Sequence, residues 1–465
     1  MSDTSAISLD YGRPADATAP RRRLMRRGLK VGTSLADQAA CSATNFLTGV
    51  LVSRSVTEAE FGLYGTALAT LLIITEAHNA LISTPHQVLS PRLHGGDLRR
   101  FNGSNLLGSL SLGGVSLIGL LAASTVVWLL GDEHFGQTML ALAIAMWAIL
   151  ARQFARQFSF AMHRPAMALL VDAIMAVVQL GTLFVLFRNG QLGPVSAVIV
   201  IGVANAIAVG VFLLLDRRRF APRPVDARRD FAATWPMAKW LVFSGVLWTL
   251  GMHGYPPLIF GVAGKEQAGI WTACFGIAAL ANPLLMGIQN IVGPAVAHAY
   301  TAHTVEGFRR YVLRITAGFG GLVLPFAIVV SIFGELLVSI YGPQYTGYGA
   351  IVGILAFSTL THAIGFPSAR GLMAIHQTRH DLIGNVITLA VMLSAGIALI
   401  AMYGVLGAAL SFVISEVLGN GYRVAAFLWL TRRGTIVDGE DMESAEVAKL
   451  VAALRTEPVQ AKEVA

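Results

Sequence analysis

Long apolar stretches separated by short polar breaks recur from about Gly32 to Leu430. Many reach the roughly twenty residues that a helix needs to cross a bilayer core. The pattern predicts an all-α integral membrane protein with about twelve transmembrane helices. Their centres fall near Asn45, Leu71, Leu117, Met146, Val177, Val203, Leu247, Ala279, Val329, Leu355, Val391 and Ile414. Polar residues inside these stretches recur at helical spacing. Asp37, Cys41, Thr44, Asn45 and Thr48 share a face of the first helix. The second carries Glu76, Asn79, Ser83 and His86, and the eighth carries Asn282, Met286 and Gln289. The seventh offers Trp240, Ser244 and Trp248, then His253 ahead of a Pro-Pro pair that should kink or break it.

Composition agrees with the pattern. Hydrophobic residues make up 55% and charged residues 13%, about half the share of an average soluble chain. The 48 glycines would weaken soluble helices, but membrane helices use small residues to approach one another closely. Cys41 and Cys274 both fall in apolar segments, where they read as small buried hydrophobes, so no disulfide framework or metal quartet is expected. The basic stretch Arg21 to Lys30 precedes a span too long for a signal-peptide core, so no cleavable signal is expected.

The 34 basic and 26 acidic residues give a net charge of +8, and placement decides what that means. Connecting segments alternate in basic content. On one side lie Arg21 to Lys30, Arg92, Arg99, Arg100, Arg164, Arg217 to Arg219, Arg223, Arg228, Arg229, Arg309, Arg310, Arg379, Arg432 and Arg433. On the other are only Arg54, Arg188 and Lys265. This asymmetry places the basic side and both termini in the cytoplasm and accounts for the charge without a nucleic-acid partner. The loops opposite are short, which leaves little chain for an external active site. Beyond Arg433, the segment "ESAEVAKLVAALR" has the pattern of a short amphipathic helix, either solvated or lying on the membrane surface.

The chain resembles itself. "FAMHRPAMALLVD" from Phe160 matches "MAIHQTRHDLIGN" from Met373, with His163 and His376 separated by 213 residues. "GQLGPVSAV" from Gly190 matches "GVLGAALSF" from Gly404 at 214, and "EFGLYGTAL" from Glu60 matches "QAGIWTACF" from Gln267 at 207. Matching loops fall on one side of the membrane, as two parallel six-helix repeats require. The expected organisation is a tail over 1–31, a first lobe over 32–216, a basic linker over 217–234, a second lobe over 235–431 and a tail over 432–465.

Charges inside the spans are costly and call for a cavity or a partner. They are Asp37, Glu76, Asp172, Lys239, Arg370, Glu416 and Arg423, together with Arg152 and Arg156. Arg370 and Lys239 lie near cytoplasmic helix ends and read as snorkelling. Glu416 and Arg423 share a face and suit one local network. Arg152 and Arg156 are one turn apart in "ILARQFARQFSFAMHRP", with Gln153 and Gln157 beside them. Two readings stand: snorkelling toward headgroups, or an entry site for an anion, since guanidinium forks bind phosphate bidentately. "HQTRHD" spaces His376 and His380 like a zinc site but lacks the Glu base, and "NGS" at Asn102 falls in a cytoplasmic loop.

Parallel six-helix halves fit two transporter architectures, and the loop "SPRLHGGDLRRFNGS" lacks the basic signature of the major facilitator type. Three stretches resemble the polysaccharide transport family, the O-antigen (Wzx-type) lipid-linked oligosaccharide flippases of the multidrug/oligosaccharidyl-lipid/polysaccharide (MOP) exporter superfamily. They are "SLADQAACSATNFLTGVLVSRSVTEAEFGLYGTALA" from Ser34, the Arg152-Arg156 stretch with Arg164-Pro165 and Asp172, and "YGVLGAALSF" from Tyr403. The resemblance implies a MATE-like two-lobed fold whose helices one, two, seven and eight border a central cavity. It also implies a bacterial inner-membrane transporter moving an undecaprenyl-diphosphate-linked oligosaccharide between leaflets, with membrane lipids and polysaccharide polymerase or chain-length machinery as partners. On that reading Arg152, Arg156, Asn45, Trp248, His253 and Gln289 are the substrate-binding candidates, and Asp37 and Glu76 the ion-coupling candidates. The alternative is a cation-coupled multidrug exporter of the same fold. A membrane polymerase or ligase would need outer loops that the chain lacks, and a scramblase or scaffold explains the repeat and polar stripes less well. No phosphate-binding loop for a nucleotide is present, and no cofactor or metal is expected.

Overall fold

The computed structural model describes residues 19–433 together with 450, 453 and 454, and among them there are helices and turns but no strand. The first half forms α1 (Ala19–Ser53), α2 (Glu58–His78), α3 (Thr84–Leu89), α4 (Gly95–Leu129), α5 (Glu133–Ala161), α6 (Pro165–Arg188) and α7 (Pro194–Asp216). The second forms α8 (Pro224–His253), α9 (Tyr255–Ala263), α10 (Lys265–Ala278), α11 (Asn282–Ala302) and α12 (Val305–Ile332). It continues through α13 (Gly334–Val338), α14 (Gly349–Ala374), α15 (Thr378–Val391) and α16 (Ile397–Arg433). Two π-helical segments interrupt the helices, Asn79–Ser83 after α2 and Met392–Gly396 after α15.

Local chemistry sets the boundaries. Thr57 and Glu60 form a reciprocal capping box at the start of α2, and Asp132 caps α5 by accepting from Phe135 N. Proline opens α6, α7 and α8, where its missing N–H costs no helical bond. Nine helical stretches among the described residues are long and apolar enough to cross a membrane. One of them, Thr378–Arg432, holds two crossings, because Gly404 (φ 57°, ψ −134°) breaks it. With α1 and the α8–α9 pair, whose charged or polar portions dilute their hydropathy, the expected twelve are accounted for. Ile118, Val177 and Ile332 are each at least 70% exposed, as lipid-facing side chains are.

The repeat is visible in the backbone. His163 (φ 56°) and His376 (φ 57°) adopt the same left-handed turn in the two halves, a conformation uncommon outside glycine. Gly190 and Gly404 also share a positive φ, 67° and 57°. Helices α2 and α10 cross at the pseudo-two-fold axis through repeat-equivalent residues. A Cβ on Gly62 would lie 2.0 Å from Lys265 O, and one on Gly269 would lie 2.0 Å from Glu58 O. Glu58 and Lys265 are themselves 207 apart, as Gly62 and Gly269 are.

Further contacts between the halves gather at this same end, opposite the basic loops. Arg54 Nε donates to Ile340 O at 2.7 Å, Ser53 Oγ to Tyr341 O at 2.8 Å and Gln344 Nε2 to Ser53 O at 3.0 Å. Lys265 pairs with Asp132 at 2.6 Å. At the basic end the start of α8 packs on the first lobe instead, with Ser104 Oγ donating to Asp230 Oδ2 at 2.7 Å. Leu454 is buried there against Leu89, Leu93 and Phe101, so this part of the tail docks on protein. The remainder of that tail, like residues 1–18, lies outside the described residues.

Candidate functional site

Helix α5 holds Arg152 and Arg156 one turn apart, and both turn into the first lobe. Arg152 donates to Asp172 and to Asn205. Arg156 Nε donates to Asp172 Oδ2 at 2.7 Å and its Nη2 to Asp37 Oδ2 at 2.6 Å. Cys41, one turn beyond Asp37 on α1, donates its S–H to Asp172 Oδ2 at 3.1 Å. Four helices, α1, α5, α6 and α7, thus meet on two guanidiniums and two carboxylates whose formal charges cancel. The arginine side chains keep 14% and 16% of their surface, while the two aspartates are buried. Asp37 Oδ1 is buried without a hydrogen-bond partner.

This geometry explains how the arginines are tolerated. A guanidinium in a span needs a counter-charge, and here both are held toward the lobe interior by carboxylates rather than drawn out to headgroups. Gln153 and Gln157 support the neighbouring face. Gln153 Nε2 donates to Asn79 in the π-helical segment at 3.1 Å, and Gln87 Nε2 donates to Gln157 Oε1 at 2.7 Å. Asp37, Cys41 and Asp172 also present three metal-ligand atoms close together. Both Asp172 oxygens and one Asp37 oxygen are already bonded by guanidinium, so this set suits an arginine pair better than a divalent cation.

The other expected site residues are dispersed. Asn45 keeps helical spacing with Asp37 and Cys41 yet is exposed, while Thr48 on the same helix is buried and accepts from Gln179 Nε2 at 2.8 Å. Glu76 lies between the lobes, its Oε1 2.7 Å from where a Cβ on Gly245 of α8 would stand. Trp248 is 41% exposed, and His253 closes α8 with its ring edge-on to Phe275, centroids 6.0 Å apart. Gln289 bonds His362 Nε2 at 3.1 Å in the second lobe.

A second polar cluster occupies that lobe. Arg423 Nε donates to Asp381 at 2.7 Å, Nη1 to Asn420 at 3.1 Å and Nη2 to Asn385. Asn420 Nδ2 in turn donates to Glu416 at 2.9 Å, so Glu416 and Arg423 do share one network. Sequence reasoning missed Asn205, and it placed Cys41 on the polar face of the first helix without identifying Asp172 as its partner. The repeat was the available signal for Asn385, which aligns with Asp172. Two motifs resolve as structural. His376 sits in a turn while His380 bonds Tyr422 at 2.8 Å, and Asn102 is buried in α4 against His86 at 2.8 Å.

No family model matches the chain. In sequence it is similar to the probable flippase AglR of Haloferax volcanii, 22% identical over 331 residues that cover 68% of this chain and 67% of that protein. Among solved structures it is similar to an inward-facing multidrug resistance MATE transporter of the MOP superfamily. That likeness has TM-score 0.71 and 14% identity over 86% of this chain and 96% of the other. An outward-facing MATE transporter gives TM-score 0.61 with 15% identity over 90% and 95%. A MOP superfamily transporter from Pyrococcus furiosus gives 0.60 with 15% identity over 92% and 95%. The chain is therefore a multi-pass membrane protein with the two-lobed fold of the MOP-superfamily transporters.

Proposed function

We propose that this protein is a flippase that carries an undecaprenyl-diphosphate-linked oligosaccharide from the inner to the outer leaflet of a bacterial inner membrane. The observation that carries this reading is the pair Arg152 and Arg156 held inside the first lobe, partly exposed, with planar forks suited to phosphate. The sequence likeness to a probable flippase supports it. The basic side is taken as cytoplasmic, and the contacts between the lobes at the opposite end suit a cavity that would open toward it. The moving bodies are the lobes over 32–216 and 235–431, joined by the linker over 217–234. Asp172 and Asp37 neutralise the arginines in this conformation, and the cargo's phosphates take over N–H groups from Asp37 as the lobes rearrange. Polymerase and chain-length proteins would receive the product outside.

A cation-coupled multidrug exporter is the second reading. It is favoured by Asp37, a buried carboxylate with one unpartnered oxygen where a proton could reside. The deciding experiment is mass spectrometry of membrane lipids from a strain lacking the protein, beside its complemented strain. Build-up of one undecaprenyl-diphosphate oligosaccharide, relieved by complementation, supports the flippase and identifies its glycan. An unchanged lipid pool in a strain without a redundant flippase rejects it in favour of the exporter.

A further inference from the structure

Arg152, Arg156 and Arg423 each bond a carboxylate, but Arg370 forms no ion pair among the described residues. Its Nη1 faces only the weak acceptor Met373 Sδ at 3.2 Å. Its guanidinium lies over the Phe366 ring, 4.7 Å from the centroid. Asp381, whose charge reaches Arg370, is bonded by Arg423 Nε at 2.7 Å instead. Among the described residues Lys239 and Arg314 also form no ion pair, but both are exposed, whereas Arg370 is half-buried. By the repeat offset of 213, Arg370 stands one residue past the position equivalent to Arg156.

The surroundings extend this cation into a track. His362, Phe366 and Arg370 recur at every fourth residue along α14, and the His362 and Phe366 rings lie 6.3 Å apart. His362 contacts Gln289 of α11 at 3.1 Å. Eight residues separate His362 from Arg370, which is about 12 Å along the helix. A stacked guanidinium keeps its N–H edge free and pre-oriented, so it can bind a diphosphate without first giving up a counter-ion.

We propose that Arg370 is the first group to bind the cargo's diphosphate, with Gln289 and His362 meeting sugar hydroxyls deeper in the cavity. The inference rests on the flippase reading and names its entry site, which precedes the self-neutralised pair Arg152 and Arg156. A phospholipid phosphate at the interface offers the same chemistry, so the test has to separate the two.

Full-length protein in phosphatidylcholine nanodiscs is titrated with farnesyl diphosphate, and separately reconstituted with increasing phosphatidylglycerol. Arg370→Ala is expected to weaken farnesyl diphosphate binding at least tenfold with an unchanged melting temperature. Arg370→Lys, which keeps the charge without the fork, is expected to recover part of it. Undiminished binding by Arg370→Ala overturns the proposal, as does a parent protein that binds no farnesyl diphosphate. So does an equal loss of phosphatidylglycerol enrichment and diphosphate binding, which makes Arg370 a lipid anchor. The flippase reading is decided separately, by lipid accumulation in the deletion strain.

Discussion

Asp172 and Asn385 occupy the same position of the two repeats, and each accepts a guanidinium hydrogen bond from a different helix of its lobe. Asp172 is served by Arg152 and Arg156 of α5, while Asn385 is served by Arg423 of α16. The halves share a backbone plan but have diverged in charge. The first lobe buries two carboxylates with two arginines, and the second offsets Arg423 with the partly exposed Asp381.

Asp172→Asn keeps the shape and removes the charge that holds both arginines. Its expected cost is about 3–5 kcal/mol, as for breaking a buried ion pair. Arg423→Gln should cost less, because its partner Asp381 keeps 28% of its surface and can be hydrated. Fluorescence-detected size exclusion of detergent-solubilised protein after heating would rank them. Equal losses would contradict the difference in burial.

Arg156 serves structure and, on the flippase reading, transport as well. Arg156→Gln should lower protein abundance by stranding Asp37, and Asp37→Asn combined with it should restore abundance because both charges leave together. Transport should remain depressed about tenfold or more in the double variant, the loss of one good charge-assisted interaction. Immunoblots beside glycan export separate the effects, and full recovery of export would leave the pair a structural role only.

At the crossing of α2 and α10, Gly269→Ala would place a methyl 2.0 Å from Glu58 O. The helices must separate, which favours opening at the end away from the basic loops. Labelling of Tyr341→Cys by a membrane-impermeant maleimide should rise in that background. Gly114→Ala, which meets nothing within 4 Å, serves as the control and should leave labelling unchanged.

The pair between Lys265 and Asp132 spans the lobes at 2.6 Å, but Lys265 keeps 38% of its side-chain surface. Exposed pairs contribute about 0–1 kcal/mol. Lys265→Ala should therefore shift the melting temperature by no more than about 2 °C. A larger drop in thermal melting would mean that the pair is more sheltered than its exposure indicates.

Much of the candidate site was legible as separate parts. The one-turn spacing of Arg152 and Arg156, the stripe of Asp37, Cys41 and Thr48, and the alignment of Asp172 with Asn385 all follow from helical periodicity and the repeat. Their meeting did not follow. Arg156 and Asp37 are 119 residues apart, and spacing alone gave Asn45 equal standing although it is exposed and stands outside this network. Arg370 read as an interfacial arginine like any other. That it lies over Phe366 and pairs with no described carboxylate is visible only in its surroundings.

By itself the sequence determined the number of spans, their approximate centres, the two-fold repeat and the side that carries the positive charge. These are properties of periodicity and composition, which act within one helix or along the chain. The tertiary structure alone decided which way each helix turns and which charges meet. It also showed that Gly62 and Gly269 are small because another helix passes over them. A polar side chain in an apolar run reads the same whether its partner is a headgroup, a cargo or a carboxylate of another helix. That partner is chosen by packing across the bundle, where helices distant in sequence set the distances.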